Sequence, residues 1–293
     1  MRVFVTGATG FIGSAVVKEL IATGHQVLGL TRSEAGARAL AAAGAEVHHG
    51  DLETLESLKS GAAAADAVIH LAFIHDFSKF AENCEIDRRA IEAMGSALGG
   101  SDRPLLVTSG TGRLAPGRLA TEDDKPAPDF PRASEAAAAA VAAKGGNASV
   151  VRLPQVHDTV KQGFVSYAIA IYRQRGTCAY VGDGHNRWSA AHVLDVARLY
   201  RLAIEKATPG AVYHAIAEEG VAMRDIAETV GRRLNLPAKS IAPEEAGAYF
   251  GWLAPFAGLD MPASSEKTRQ TLGWKPTGPG LIADLERLEV ADR

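Results

Sequence analysis

The chain begins with a short apolar segment that runs into a glycine-rich turn and then into a helical pattern. Residues 2–5 are typical of a buried strand, Gly7, Gly10 and Gly13 follow, and residues 15–21 have helical periodicity. Gly7 permits a tight turn, Gly10 lets the backbone approach a phosphate, and Gly13 lets the helix pack against its strand. The helix N-terminus adds unpaired amides and the positive end of a dipole. The segment therefore predicts a site for the pyrophosphate of a dinucleotide.

Short apolar segments alternate with helical patterns through the first half of the chain. This alternation predicts a parallel sheet that helices cover on both faces. The predicted strands are residues 2–5, 26–30, 45–49, 67–72, 104–109 and 149–153, with a further short strand at 211–215. We expect an α/β fold with a Rossmann-like, doubly wound parallel sheet over residues 1–155. A smaller mixed C-terminal lobe, mainly residues 156–293, would bind the substrate over the strand ends, and some of its segments would return to the sheet.

Charge, hydropathy and cysteine content exclude several classes of protein. The 293 residues carry a net charge of −3, so we expect no broad basic surface for nucleic acid. No apolar run approaches the roughly 18–20 residues of a membrane span, and the N-terminus is unlike a signal peptide. Cys84 and Cys178 form no CxxC pair, so neither a disulfide framework nor a zinc site is indicated. We expect a cytoplasmic protein without a metal, whose partner is a small-molecule substrate.

The spacing of Gly7, Gly10 and Gly13 resembles that of the extended short-chain dehydrogenase/reductases, also described as NAD-dependent epimerase/dehydratases. Further motifs of that superfamily follow in the same order over nearly the whole chain. They are Asp51-Leu52, His70-Leu71-Ala72, Arg187-Trp188 with residues 192–197, and the C-terminal segment 264–276. The resemblance implies a nicotinamide cofactor, with Asp51 and Leu52 at the adenine. The cofactor-binding residues that it implies are Gly7, Thr9, Gly10, Phe11, Ile12, Arg32, Asp51, Leu52, Leu71, Ala72, Phe73, Thr108, Pro154 and Val156.

The end of the second predicted strand bears on the choice of cofactor. An acidic side chain there would bind the ribose hydroxyls of NAD and repel a 2′-phosphate. This chain instead has Arg32, whose guanidinium can grip a phosphate or stack on adenine. We therefore predict a preference for NADPH, with NAD as the other cofactor considered; the alternative interpretation of Arg32 is a solvated surface residue.

The proton-transfer pair usual in this superfamily is missing from the sequence. A Tyr with a Lys four residues later normally transfers the proton, and a Ser after the fifth strand polarises the substrate oxygen. Ser109 matches that serine, but no tyrosine of this chain has a lysine four residues later, and Pro131 and Glu135 stand where the pair would fall. The resemblance is therefore to an atypical branch, and the usual acid/base assignment cannot be transferred.

Several ionisable residues are candidates for the missing role. His157 follows the sixth predicted strand, and we predict that it joins Ser109 as a catalytic residue, because histidine exchanges protons near neutral pH. His75 is a second candidate donor, and a packing role is the alternative for both histidines. Lys161 is a candidate for binding phosphate or substrate. Arg132 is predicted either to hold an anionic group or to be solvated.

Other features allow more than one interpretation. Asp87 is interpreted as a surface carboxylate, and Arg187 as either a contact to an anionic part of the substrate or a structural salt bridge. The alanine-rich segment 135–144 is strongly helix-forming, and its small side chains suggest a homodimer contact. The apolar cluster at residues 249–253 would line a hydrophobic substrate pocket or form satellite core.

Together these features predict an NADPH-dependent oxidoreductase that reduces a small, mostly apolar carbonyl substrate by hydride transfer. Ser109 would steady the carbonyl oxygen, and His157 or an ordered water would supply the proton. Two alternatives stay open: a nucleotide-sugar epimerase or dehydratase with bound NAD, and a non-catalytic NADP(H)-binding redox sensor.

Overall fold

The computed structural model describes residues 1–115, 117–127 and 130–289, so the last four residues of the predicted C-terminal lobe lie outside it. The strands are β1 (Arg2–Thr6), β2 (Gln26–Thr31), β3 (Glu46–His49), β4 (Ala67–His70), β5 (Pro104–Gly110), β6 (Asn147–Leu153), β7 (Gln155–His157), β8 (Cys178–Val181), β9 (Arg187–His192), β10 (Val212–His214), β11 (Glu218–Ala222) and β12 (Ala238–Ile241). The helices are α1 (Phe11–Ala22), α2 (Glu34–Ala42), α3 (Leu55–Ala63), α4 (Phe80–Leu98), α5 (Ser134–Ala143), α6 (Phe164–Arg175), α7 (Val193–Lys206), α8 (Met223–Leu234), α9 (Ala246–Phe250), α10 (Ala254–Ala257), α11 (Glu266–Leu272) and α12 (Leu281–Glu286). Short 3₁₀ helices occupy Phe77–Lys79, Pro243–Glu245 and Gly251–Leu253.

Seven parallel strands form the main sheet in the order β10-β6-β5-β4-β1-β2-β3. The order reverses between β1 and β4, which is the topological switch point where ligands bind in such sheets. Val3, Phe4 and Val5 of β1 are completely buried, and each contributes about 1.5–3 kcal/mol to stability through burial. The predicted α/β, Rossmann-like doubly wound fold is confirmed. The strand predicted at 211–215 returns to this sheet as β10, beside β6.

A second lobe follows β6 and contains two small sheets, with the strand orders β11-β9-β7 and β12-β8. Its separate hydrophobic core is centred on large buried side chains such as Tyr172, Trp188 and Phe250. Because β7 begins two residues after β6 ends, this lobe starts at the carboxyl ends of the main strands. No helix among the described residues is both long and apolar enough to cross a membrane.

The small residues of α5 pack inside the chain. Ala137, Ala138 and Val141 are buried, and a Cβ added at Gly95 of α4 would lie 2.4 Å from the Val141 side chain. Gly95 therefore permits a close approach of α5 to α4, and the burial of Ala137 and Ala138 within the chain accounts for their small size without a second subunit. The homodimer stays a prediction.

Candidate active site

A cleft of about 1180 Å³ runs along the carboxyl ends of the main strands and reaches the second lobe. All the residues predicted to bind the cofactor line it: Gly7, Thr9, Gly10, Phe11, Ile12, Arg32, Asp51, Leu52, Leu71, Ala72, Phe73, Thr108, Pro154 and Val156. Ser109 lines it as well, whereas His157 is not among its lining residues. Side chains from the second lobe, including Phe164 and Tyr167, complete the other end.

The glycine turn has the close backbone contacts that its spacing predicts. Gly7 has a φ of 66°, and a Cβ there would lie 2.8 Å from the Ala72 nitrogen. A Cβ at Gly13 would lie only 2.0 Å from the carbonyl oxygen of Gly7, so α1 packs directly on the turn. Gly10 caps α1 without a side-chain hydrogen bond, which leaves the first amides of the helix for a ligand. The turn therefore fits a diphosphate group.

Arg32 and Asp51 lie at the same end of the cleft as the glycine turn. Hydrogen bonds from the backbone N–H groups of Thr54 and Glu53 (2.7 and 3.0 Å) and the charge of Arg32 lower the pKa of Asp51. The exposed Arg32 guanidinium has no hydrogen bond or ion pair with any described residue. It is therefore available to an anionic group of a bound nucleotide.

A buried chain of hydrogen bonds lies behind the cleft. Thr6 Oγ1 accepts the N–H groups that follow β4, and it lies 2.8 Å from His70 Nδ1, so its hydroxyl proton points to that nitrogen. His70 Nε2 consequently donates to Asp87 Oδ1 (3.1 Å), while the Ser134 hydroxyl donates to Asp87 Oδ2 (2.5 Å). Burial raises the pKa of Asp87, but the His70 bond and the nearby Arg132 outweigh it and hold this pKa below its usual range.

Asp87 is 1% exposed, so its interpretation as a surface carboxylate is wrong. Its partners could not be predicted from the sequence, because His70 and Ser134 belong to segments that meet Asp87 only in the folded chain.

Arg132 directly follows Pro131, the residue that stands where the superfamily has its tyrosine. Its Nε donates to Ser134 Oγ (2.7 Å) and its Nη2 to the carbonyl oxygen of Thr108 (3.2 Å). The guanidinium lies 3.9 Å from the centre of the Phe73 ring, and Arg132 lines the cleft. These contacts fix the Arg132 side chain in the cleft, so it is not a freely solvated residue. Glu135, in the expected lysine position, instead forms a two-bond ion pair with the buried Arg152 (2.9 and 2.7 Å).

Two neighbouring hydroxyls at the end of β5 differ in their availability. The Thr108 hydroxyl donates to the carbonyl oxygen of His70 (2.6 Å) and accepts from the buried Tyr200 (2.7 Å). Ser109 is only 7% exposed, and its hydroxyl makes no hydrogen bond within the described part of the chain. The Ser109 Oγ is still accessible from the cleft, so this free hydroxyl can bond to a ligand there.

Thr111 is a cleft residue that the sequence reasoning missed. It is nearly buried, and its hydroxyl lies 3.4 Å from the Ser189 hydroxyl of the second lobe. The spacing of Ser109 and Thr111 could have indicated it, because side chains two residues apart lie on the same face of a strand.

The structure does not bring His157 to Ser109. Its side chain is 0% exposed, and its Nδ1 is hydrogen-bonded to Asp284 Oδ2 of α12 at 2.7 Å. Burial lowers the pKa of His157 despite that carboxylate. This placement corresponds to the packing alternative, because a proton donor must reach the reacting atoms. His75, in contrast, lines the cleft, and desolvation and the charge of Arg132 lower its pKa.

We expect the free energy of unfolding to fall as the pH drops below about 6.5. Burial lowers the pKa of His157 and of His214 below the ordinary value of 6.5. The unfolded chain then takes up protons that the folded chain does not, so stability that is complete above pH 6.5 is lost towards pH 5. Each histidine adds at most about 1.4 kcal/mol per pH unit.

Urea unfolding between pH 5 and pH 8 measures this dependence. His157→Gln should reduce the slope, whereas His185→Gln, at an exposed site, should retain it. A free energy of unfolding that is constant over this range would contradict the assignment.

Together the doubly wound sheet and the glycine cradle at its switch point define a Rossmann-type dinucleotide-binding protein. The chain belongs to the NAD dependent epimerase/dehydratase family, whose model matches residues 3–217, and it is an oxidoreductase of that family. It is 47% identical to an uncharacterized protein of Schizosaccharomyces pombe, over 97% of this chain and 98% of that protein.

Two further comparisons extend this assignment. A 4-hydroxy-2-methyl-3-oxo-4-farnesyl-3,4-dihydroquinoline-1-oxide ketoreductase of Stigmatella aurantiaca is 28% identical, over 94% of this chain and 92% of the enzyme. The fold is that of the dTDP-glucose 4,6-dehydratase DesIV of Streptomyces venezuelae, with a TM-score of 0.79, 20% identity, and coverage of 98% of this chain and 95% of the other.

Proposed function

We propose that this protein is an NADPH-dependent reductase of a carbonyl compound. The observation that carries the proposal is the free hydroxyl of Ser109, nearly buried at the end of β5 in the cleft that contains the glycine cradle. A bound NADPH would supply the hydride for such a reduction. The glycine turn and the first amides of α1 would hold its diphosphate, and Arg32 would hold its 2′-phosphate.

The remaining steps use residues of this chain. The Ser109 hydroxyl donates a hydrogen bond to the substrate oxygen, and that bond strengthens as negative charge develops on the oxygen. Arg132, fixed by Ser134 and the Thr108 carbonyl, adds a positive charge to the same cleft. The pKa of His75 is lowered, which leaves its ring mostly neutral near pH 7, and His157 lies outside the cleft. Water in the cleft therefore supplies the proton in this proposal.

The activity of one relative and the ion pair formed by Arg187 favour a reductase over the alternatives. The Stigmatella aurantiaca relative is a ketoreductase, although a UDP-glucose 4-epimerase of Streptomyces lividans is also 26% identical. Arg187, the candidate contact for an anionic part of a nucleotide sugar, forms a two-bond ion pair with Asp260 (3.0 and 2.8 Å) and is not a lining residue of the cleft. Of the two interpretations that the sequence allowed for Arg187, this contact corresponds to the structural salt bridge. The free Ser109 hydroxyl argues against a purely sensing role.

Loss of NADPH absorbance with a panel of aromatic and aliphatic ketones and aldehydes tests the proposal. Saturable turnover of at least one ketone supports it. Tight binding of NADPH with no turnover across the panel would contradict it and favour the sensor. Mass spectrometry that shows retained NAD in the purified protein would favour the epimerase or dehydratase.

Replacing Arg32 with aspartate is expected to weaken NADPH binding by about 10- to 100-fold without weakening NADH binding, because an acidic side chain there can bind the ribose hydroxyls of NADH. The reason is the loss of charge-assisted hydrogen bonds to the 2′-phosphate, which are worth about 1.5–3 kcal/mol. Calorimetric titration with both cofactors measures the change. Arg38→Asp, on the exposed surface of α2, makes the same change in charge outside the cleft and serves as the control. Equal affinities for NADPH and NADH in the unmodified protein would contradict the proposed preference for NADPH.

A further inference from the structure

We propose that the substrate carries an anionic group that Lys161 and Arg132 bind, joined to a flat aromatic body that the aromatic side chains of the cleft enclose. This inference rests on the proposed carbonyl reduction and defines its substrate class, an aromatic keto acid or a related anionic aromatic ketone. It also revises the expectation of a mostly apolar substrate.

The end of the cleft that contains Ser109 is lined by basic groups from three separate segments. His75 follows β4, Arg132 precedes α5, and Lys161 lies between β7 and α6. The Phe73 ring lies 3.9 Å from the Arg132 guanidinium and 5.4 Å from the His75 ring, and Lys161 lines the same cleft.

Acidic groups are confined to the other end of the cleft. Among its described lining residues the carboxylates are Asp51 and Glu53. The backbone N–H of Glu53 donates to Asp51 Oδ1, and the charge of Arg32 helps to lower the pKa of Asp51. The lining residues near Ser109 thus include the cations Arg132 and Lys161 and no described carboxylate, and such an excess of positive charge on a surface attracts anions.

Lys161 is held in position by its backbone and has a free ammonium group. Its backbone N–H donates to Asp158 Oδ1 at 2.7 Å, and the same oxygen accepts the N–H of Val160. The exposed Lys161 side chain lines the cleft without a hydrogen bond or ion pair to any residue that the structure describes. It is therefore available to a ligand as a point charge.

Arg132 has spare capacity in spite of its anchors. Nε and Nη2 are used by Ser134 and by the Thr108 carbonyl, while Nη1 makes no hydrogen bond within the described ranges. The carboxylate nearest to it, Asp87, is 3.9 Å away, and the two Asp87 oxygens already accept from His70 and Ser134. An anion in the cleft can therefore use the remaining donors of a preoriented guanidinium.

Aromatic rings surround the same end of the cleft. Phe77 stacks on Trp252 of the second lobe, with ring centres 4.6 Å apart and planes 6° apart, and so joins the two lobes. The parts of the aromatic rings that face the cleft can pack against a flat ring of a ligand. Rings of both lobes line the cleft here, among them Phe73 and Phe77 of the first lobe and Phe164 and Tyr167 of the second.

The binding test compares 2-naphthoate with 2-naphthamide, which have the same ring system and nearly the same shape. Calorimetric titration of the NADP⁺-saturated protein should show at least about tenfold tighter binding of the carboxylate. Lys161→Gln should remove most of this preference, and Lys161→Glu should reverse it. Lys18→Glu, on the exposed surface of α1, makes the same charge change outside the cleft and should retain the preference.

Turnover provides a second, separable readout. In NADPH assays, kcat/KM for 4-acetylbenzoate should exceed that for 4-acetylbenzamide, and added salt should reduce the ratio. Equal naphthoate and naphthamide affinities would overturn the inference even if both ketones are reduced. A loss of NADP⁺ affinity in the Lys161→Glu variant would also overturn the inference, because Lys161 would then bind the cofactor and not the substrate. Selective naphthoate binding without reduction of any ketone would support the anion site and contradict the proposed reductase.

Discussion

Ser109→Ala is expected to lower kcat/KM for ketone reduction by about 10²–10³ while NADPH affinity stays within about twofold. The Ser109 hydroxyl is the one at the end of β5 that the protein leaves free, since the adjacent Thr108 hydroxyl is bonded to His70 and Tyr200. Its loss removes a hydrogen bond that is strongest when charge has developed on the substrate oxygen. Steady-state kinetics and a cofactor titration on the same preparation separate this effect from damage to the cradle.

Two variants control for this experiment. Ser60→Ala removes a hydroxyl from the exposed surface of α3 and should leave the kinetics unchanged. Thr111→Val removes the neighbouring cleft hydroxyl, which already lies near Ser189, and should cost much less than Ser109→Ala. A large loss in Thr111→Val together with nearly full activity in Ser109→Ala would show that the donor role belongs to Thr111.

Gly13→Ala is expected to weaken NADPH binding by about 10- to 100-fold and to lower the melting temperature. The added Cβ would lie 2.0 Å from the carbonyl oxygen of Gly7 and 2.8 Å from its carbonyl carbon. Both are backbone atoms of the cradle, so α1 must move away from the turn. Overpacking of this kind costs about 1–3 kcal/mol or more. Calorimetry with NADPH and thermal unfolding without it measure the two effects.

Gly247→Ala is the matched control. Gly247 lies on the exposed face of the short helix α9, where an added Cβ meets no atom within 4 Å. Its affinity for NADPH should equal that of the unmodified protein. A Gly13→Ala variant that binds NADPH as tightly as this control would show that the turn is not the diphosphate site.

Local patterns were sufficient for the main sheet and for the cofactor cradle. The glycine spacing and the runs of buried apolar residues report on backbone conformation within a few residues, and the fold confirms them. Element ends were less well predicted: α1 begins at Phe11, whereas the helical periodicity begins only at residue 15. Helices begin where caps and neighbouring packing allow, and periodicity alone does not report this.

The sequence by itself determined the class of the fold, the position of the dinucleotide turn and the absence of a Tyr/Lys pair. The tertiary structure alone decided which polar groups reach a ligand. It buries His157 against Asp284 and Asp87 between His70 and Ser134, and it leaves Ser109 free. The burial of His157 and of Asp87 depends on partners from distant segments, and Ser109 is free because no such partner reaches it. Periodicity along the chain carries no information about such partners.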